Sequence, residues 1–234
     1  MNHWIGTSGF QYKEWKGSFY PEKLSLPKML AFYAGVFNST EINYTFRSLP
    51  SDKTIARWDD ETPADFRFSL KAPQRVTHFA KLRKCGDAMN EFRQAVKGLG
   101  KKLGPVLFQL PETFKADAVL LSEFLASLPK GLHAAFEFRH ESWFTDEVFE
   151  ALAAKNAALC LAESEELTTP RIATADFGYL RLRRDNYTEK EIRDWASFIQ
   201  AQSEKWKETF AYLKHEDTAA GTGFARKLMA KLEG

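Results

Sequence analysis

Short apolar runs recur eight times along the chain, seven of them ending in or followed by the polar residues named below, and between most of them apolar residues return at intervals of three and four. The runs cover residues 4–6, 39–43, 66–71, 106–109, 134–140, 158–163, 179–183 and 210–213. Each is short enough for a strand buried on both faces, as in a parallel sheet. Between them, Met29, Leu30, Tyr33 and Phe37 mark one helix face, and Ile55 and Trp58 another behind the N-cap residue Ser51. Met89, Phe92, Val96 and Leu99 form a third face, and Leu121, Phe124, Leu125 and Leu128 a fourth. Residues 145–155 predict a fifth helix with Asp146 and Glu147 in its first turn, where the helix dipole favours them. Thr188-Glu189-Lys190-Glu191 reads as a capping box before Ile192, Trp195 and Ile199, and Leu228, Met229 and Leu232 mark a terminal helix. Only a dozen or so polar residues separate strands six and seven, too few for a full helix.

Strict alternation of this kind predicts a TIM-type (βα)8 barrel with an abbreviated crossover between strands six and seven, as a single domain over residues 1–234. A doubly wound open sheet is the alternative, but no Gly-x-Gly-x-x-Gly follows the first strand. In a barrel the C-terminal ends of the strands carry function. Those ends hold Glu41 and Asn43, Lys71, Gln109, then Glu137, Arg139 and His140, then Glu163, then Arg181 and Arg183, and finally Lys214, His215 and Glu216.

Composition narrows the partners little. Thirty-three basic and 31 acidic residues leave a formal charge of +2, too balanced for bulk electrostatics to imply nucleic acid. The two cysteines, Cys85 and Cys160, suggest neither a disulfide framework nor a Cys-x-x-Cys metal site. No signal peptide precedes strand one, and no apolar run approaches the roughly 18 to 20 residues that span a bilayer. The expectation is a soluble, cytoplasmic protein with no membrane partner.

The chain resembles the YecE-like family, also called domain of unknown function 72, over nearly its whole length. The resemblance is carried by Ile5-Gly6-Thr7-Ser8-Gly9-Phe10, Phe19-Tyr20-Pro21, Phe37-Asn38-Ser39-Thr40-Glu41-Ile42-Asn43, Lys71-Ala72-Pro73 and Thr77-His78. It continues through Leu103-Gly104-Pro105-Val106-Leu107-Phe108-Gln109-Leu110-Pro111 and Phe136-Glu137-Phe138-Arg139-His140-Glu141-Ser142-Trp143. It implies a TIM-type barrel and brings no settled activity. The chain departs from the family pattern at Phe10, where Trp is usual, and at Glu163, where Asp is frequent. It departs again at Arg183-Arg184, in place of His-Gly, and at Lys214-His215-Glu216, in place of Asn-Asn.

Side chains alternate along a strand, so Glu137 and Arg139 share a face, as do Glu41 with Asn43 and Arg181 with Arg183. Facing inward, Glu41, Glu137 and Glu163 would supply acid/base groups, with His140 as acid or metal ligand and Lys71, Arg139 and Arg181 stabilising charge. Structural ion pairs closing the barrel top are the competing reading, with Glu41 paired to Lys71 on the adjacent strand. Gln109 suits an orienting hydrogen-bond donor. Gly221-Thr222-Gly223 before the last helix suits a phosphate, helped by Arg181, Arg183, Lys214 and His215, or else gives the chain a flexible turn. His78 sits in a basic loop with Lys81, Arg83 and Lys84, and Trp143 follows strand five. Phe10, Tyr12, Trp15, Phe19, Tyr20, Tyr44 and Phe46 would either stack on a sugar or base, or pack as a core of their own. His3 and His133 precede strands and belong to the opposite end.

No NAD, flavin or pyridoxal motif is evident. Glu41, Glu137, His140, Glu163 and His215 are ligand types for a divalent metal, though without metal-site spacing. Lys71 has the chemistry for a Schiff base, but an adjacent carboxylate argues for a charged lysine. The expected function is an enzyme, hydrolase-like, acting on an anionic, phosphate-bearing sugar or a nucleotide or nucleic-acid ligand. A glycosidase on neutral sugar and a non-catalytic binding module are the alternatives.

Overall fold

The computed structural model describes residues 1–163, 167–214 and 218–233. Its elements run β1 (Asn2–Thr7), α1 (Met29–Ala34), β2 (Ser39–Ile42), α2 (Asp52–Asp60), β3 (Arg67–Lys71), α3 (Gly86–Val96), β4 (Leu103–Gln109), α4 (Ala118–Ser127) and β5 (Ala134–Glu137). They continue with α5 (Asp146–Ala153), β6 (Ala158–Glu163), β7 (Phe177–Leu182), α6 (Glu189–Ala201), β8 (Glu208–Leu213) and α7 (Ala220–Glu233). All strand pairs are parallel, in the order β1-β8-β7-β6-β5-β4-β3-β2. This is the TIM-type barrel expected, and no helix joins β6 to β7 among the described residues. The capping box at Thr188 and the N-cap at Ser51 both form.

The seam between β1 and β2 is closed mainly by side chains. Asn38 accepts from the Ile5 N–H (2.8 Å) and donates to the His3 carbonyl (2.7 Å), so its amide stands in for a missing ladder rung. The Thr40 hydroxyl donates to the Thr7 carbonyl, and a single bridge links Ser8 with Glu41. Gly6 permits this approach, because a Cβ there would lie 1.9 Å from the Ser39 carbonyl oxygen.

The period of two sorts the strand residues into two cores. Phe68, Phe108, Phe136 and Leu180 face outward against Trp58, Phe124, Leu152 and Ile199 of the helices. Facing inward, Trp4, Phe177 and Phe210 fill the N-terminal end of the barrel, and Leu107, Cys160 and Tyr179 lie above them. The Tyr212 hydroxyl joins Ser39 and Ser69 at 2.7 Å each, so this middle layer is polar but satisfied. The aromatic loop after β1 packs as its own core, with Phe10, Trp15, Phe19 and Tyr20 buried against Tyr33 and Phe37.

Several boundaries differ from those the pattern predicts. β5 ends at Glu137, because beyond it Phe138 leaves the sheet to stack on Trp143 at 4.6 Å, and His140 accepts from the Ser142 N–H to cap a short turn. β2 ends at Ile42, and Asn43 turns into the right-handed helical region. Gly221, Thr222 and Gly223 lie in the first turn of α7, not in a loop before it. The expected basic loop after β3 begins as a π-helical turn, Arg75–Phe79.

Candidate functional site

Three inward side chains meet across the top of the barrel. Arg181 of β7 donates through Nη2 to Glu41 of β2 (2.8 Å) and through Nη1 to Glu137 of β5. All three are essentially sealed from water, Arg181 at 1%, Glu41 at 0% and Glu137 at 3% exposure. Glu41 also accepts from the Tyr179 hydroxyl (2.7 Å), and Glu137 from the Gln109 amide (2.7 Å) and Arg139 Nε (3.1 Å). Burial alone would push the Glu137 carboxyl up, but Arg181 and Arg139 outweigh it and hold the group at about 2. The carboxylates in turn raise Arg181 despite its burial, and burial beside Glu41 raises the Tyr179 phenol. Glu137 therefore stays ionised, and both glutamates are held by hydrogen bonds.

The Glu41–Lys71 pair of the competing reading does not form. The planar fork of one arginine, rather than the neighbouring lysine, takes both carboxylates. Lys71 stays half-buried with its ammonium 4.1 Å from the centroid of the Phe46 ring, and no carboxylate of the described residues lies within ion-pair distance. Burial first, then Arg181, lowers it to about 8, with Glu41 and Glu137 acting in the opposite sense. The far side of the Phe46 neighbourhood is His78, ring centroids 4.8 Å apart, whose imidazole is pushed below its ordinary value by burial, Lys71 and Arg139.

Arg183 follows β7, its N–H still bonded to the Glu163 carbonyl at 3.0 Å. Its half-buried guanidinium makes no ion pair or side-chain hydrogen bond with the described residues, and burial together with Arg181 lowers its affinity for a proton. It lines a cavity of about 430 Å³ with Glu137, Arg139, His140, Thr169 and Glu112. Arg139 also reaches the exposed Glu112 at 3.5 Å. A slightly larger cavity, about 490 Å³ between the start of α3 and α4, lies outside the barrel and takes no strand-end residue.

Other expected members stand apart. Glu163 points to the helices, accepting from the Trp195 indole at 3.1 Å, because Cys160 and Ala162 hold the inward phase of β6. Its place as a third site carboxylate is thereby lost. Asn43 lines a separate cavity of about 380 Å³ with Tyr12, Tyr44 and Arg57. Trp143 is fully buried and donates to the Phe114 carbonyl, so it supports the β5 loop and does not wall the opening. Lys214 pairs with Asp185. The Cα of Gly221 presses on β8, where a Cβ would meet the Lys214 carbonyl oxygen at 2.0 Å, and the Thr222 hydroxyl donates to the Ala219 carbonyl. His215 and Glu216 lie outside the described residues. Among the described residues no three His, Cys, Asp or Glu side chains gather as a metal site. No helix there is long and apolar enough to cross a membrane.

Sequence reasoning passed over Tyr179, Thr169 and Glu112. Tyr179 was within reach of it, since it stands two residues before Arg181 and so shares its inward face.

A family described as protein of unknown function DUF72 matches residues 4–234. The UPF0759 protein YecE of Escherichia coli K12 is 38% identical over 113 residues, covering 48% of this chain and 42% of YecE. The UPF0759 protein YunF of Bacillus subtilis 168 is 29% identical over 155 residues, 63% of this chain and 54% of YunF. The matched stretches thus span about half the length of these relatives. The crystal structure of a DUF72 family protein from Thermotoga maritima superimposes with a TM-score of 0.89 at 27% identity, covering all of both chains. One from Enterococcus faecalis shares the fold with a TM-score of 0.85 at 17% identity, covering 99% of this chain and 96% of that one. With the family matched from end to end and its barrel reproduced, the chain belongs to the DUF72 family.

Proposed function

We propose that the C-terminal mouth of the barrel binds an anionic, phosphate-bearing small molecule, with Arg183, Arg139 and Lys71 meeting its charge and the Glu41–Arg181–Glu137 network holding the mouth in shape. The observation that carries this is Arg183, a half-buried guanidinium on a 430 Å³ cavity with no protein acceptor among the described residues. A cation held partly away from water without a partner is costly, and a phosphate is the partner whose geometry suits the arginine fork. Among the described residues the neighbourhood is also unbalanced, with Lys71, Arg139, Arg181 and Arg183 set against Glu41 and Glu137 in the interior.

Glu137 does not suit general acid/base work, and both oxygens of Glu41 are already taken, by Arg181 and Tyr179. Glycoside hydrolysis needs one carboxylic acid with a raised pKa, whereas Glu137 is held at about 2 with its acceptors occupied. Any chemistry on the bound anion would fall to groups that titrate nearer neutrality.

The test is thermal unfolding with inorganic phosphate, ribose 5-phosphate and ribose at fixed ionic strength, for the wild type and Arg183→Ala. A ligand at about 100 times its dissociation constant adds roughly 2.7 kcal/mol. Both phosphates should stabilise the wild type, and the gain should vanish in Arg183→Ala. A response to ribose with none to phosphate would overturn the proposal.

A further inference from the structure

Lys102 is buried and Lys71 half-buried, and the two are treated differently. Lys102, 9% exposed, donates to the Asp59 and Thr62 carbonyls and the Thr62 hydroxyl and pairs with the Asp59 carboxylate. Its protons are all committed. Lys71 closes β3 at the C-terminal end of the barrel, and among the described residues its ammonium has only the face of Phe46. The two carboxylates that could have held it are already filled, Glu41 by Arg181 and Tyr179, and Glu137 by Arg181, Gln109 and Arg139.

We propose that Lys71 is a nucleophilic amine that condenses with the carbonyl of an aldehyde or ketone bearing an anionic group, forming a Schiff base at the barrel mouth. The amine half stands on the placement of Lys71, and the anionic half rests on the binding reading given above. Its surroundings keep a neutral amine within reach near pH 8. Burial, Arg181 and Arg139 favour the neutral form, and Glu41 and Glu137 oppose it from β2 and β5. His78, beside the same ring, is held in its neutral form by burial and by Lys71 itself. Withdrawal from water and a neighbouring cation are the two conditions that activate a lysine toward carbonyls.

The step balances without an oxidant or reductant. The ammonium yields one proton to water, and the Nζ lone pair then bonds to the carbonyl carbon as the carbonyl π pair moves to oxygen and takes up a proton. A second proton then passes from nitrogen to that oxygen, which leaves as water, breaking the C–O bond and leaving a protonated imine. From ammonium and carbonyl the products are iminium and one water.

The test uses the full chain with a small excess of glycolaldehyde or glycolaldehyde phosphate and sodium cyanoborohydride at pH 7, each lysine's labelling being followed by peptide mass spectrometry. Lys71 should label at least tenfold faster than any other lysine with both aldehydes. With glycolaldehyde phosphate the rate should be higher still, and phosphate or Arg183→Ala should remove that excess. The Lys71 rate should level off above about pH 8, while exposed lysines keep accelerating. Lys71→Arg, checked by its melting temperature, should lose the fast label and leave the others unchanged. Labelling of Lys71 by glycolaldehyde no faster than that of exposed lysines would overturn the amine. Fast labelling by glycolaldehyde with no gain from its phosphate would leave the amine standing and overturn the anionic partner.

Discussion

The two ends of the barrel solve the same problem, closing a ring of eight strands, with opposite materials. At the N-terminal end Trp4, Phe177 and Phe210 fill the interior, Arg67 and Glu208 contact Trp4 at its partly buried rim, and the Lys207–Asp176 pair is exposed. At the C-terminal end the interior is ionic, with Glu41, Glu137 and Arg181 stripped of water and bonded only to protein. An apolar plug is the less costly way to fill a barrel, since buried ion pairs rarely repay their desolvation. The C-terminal end is therefore the one shaped by something besides stability. It also holds the half-buried cations Lys71 and Arg183, for which the protein supplies no carboxylate among the described residues.

The largest effect should come from breaking the ionic end. Arg181→Met strands two buried carboxylates, and loss of one partner from such a pair costs about 3–5 kcal/mol. Urea unfolding at pH 7 measures this. The pH dependence should change with it. The Glu137 carboxyl, at about 2 in the folded protein against an ordinary 4.5, contributes stability that is complete above 4.5 and lost as pH falls toward 2. The wild type should thus gain stability between about pH 2 and 4.5, and Arg181→Met should lose most of that gain. A variant as stable as the wild type at pH 7 would mean that the network contributes nothing beyond a plug.

A finer contrast sets the two lysines against each other. Lys102→Met leaves the Asp59 and Thr62 acceptors unmet and should cost about 1–3 kcal/mol. Lys71→Met removes an uncompensated charge and should leave the protein at least as stable at pH 7. The sign of the pH term follows. Lys71 stands at about 8 folded against 10.5 ordinarily, so the folded state binds fewer protons in that window. Its penalty is full below 8 and fades as pH rises toward 10.5. Wild-type stability should climb relative to Lys71→Met by at most about 1.4 kcal/mol per pH unit there. Equal losses in the two variants would erase the distinction between a structural and a reactive lysine.

This contrast also marks how far the sequence could be read. Eight apolar runs, most with polar ends, foretold the barrel and the lack of a helix between β6 and β7 among the described residues, because buried parallel strands need unbroken apolar runs and a helix needs length. Glu41, Glu137, Gln109, Arg139 and Arg181 were legible as a cluster for the same reason. Glu163 was not excluded, because the inward phase of β6 depends on the barrel's closure, and only then does Ala162 claim the interior. The fate of Lys71 was illegible too. Register puts it next to β2, but Arg181 reaches Glu41 from across the barrel, between strands that share no ladder. Trp143 misled because nothing local shows that Phe138 leaves the sheet to lie on it.

The smallest effect is the most pointed comparison. Lys207 and Asp176 at the N-terminal end lie 2.8 Å apart, the same distance that separates Arg181 from Glu41. Geometry alone would rank the two pairs equal. Their side chains differ in exposure, 80% and 37% for the first pair, 2% and 0% for the second. Water already solvates Lys207 and Asp176 when apart, so little is gained by their meeting. Hydrogen bonds from Lys207 and then Asn156 do lower the Asp176 carboxyl. Lys207→Ala should accordingly raise the Asp176 pKa, seen by carboxyl-carbon NMR titration, while the urea midpoint stays within error of the wild type. A clear fall in that midpoint would show the two ends to be tied by charge alike, and the ionic mouth would lose the contrast on which its proposed ligand binding draws.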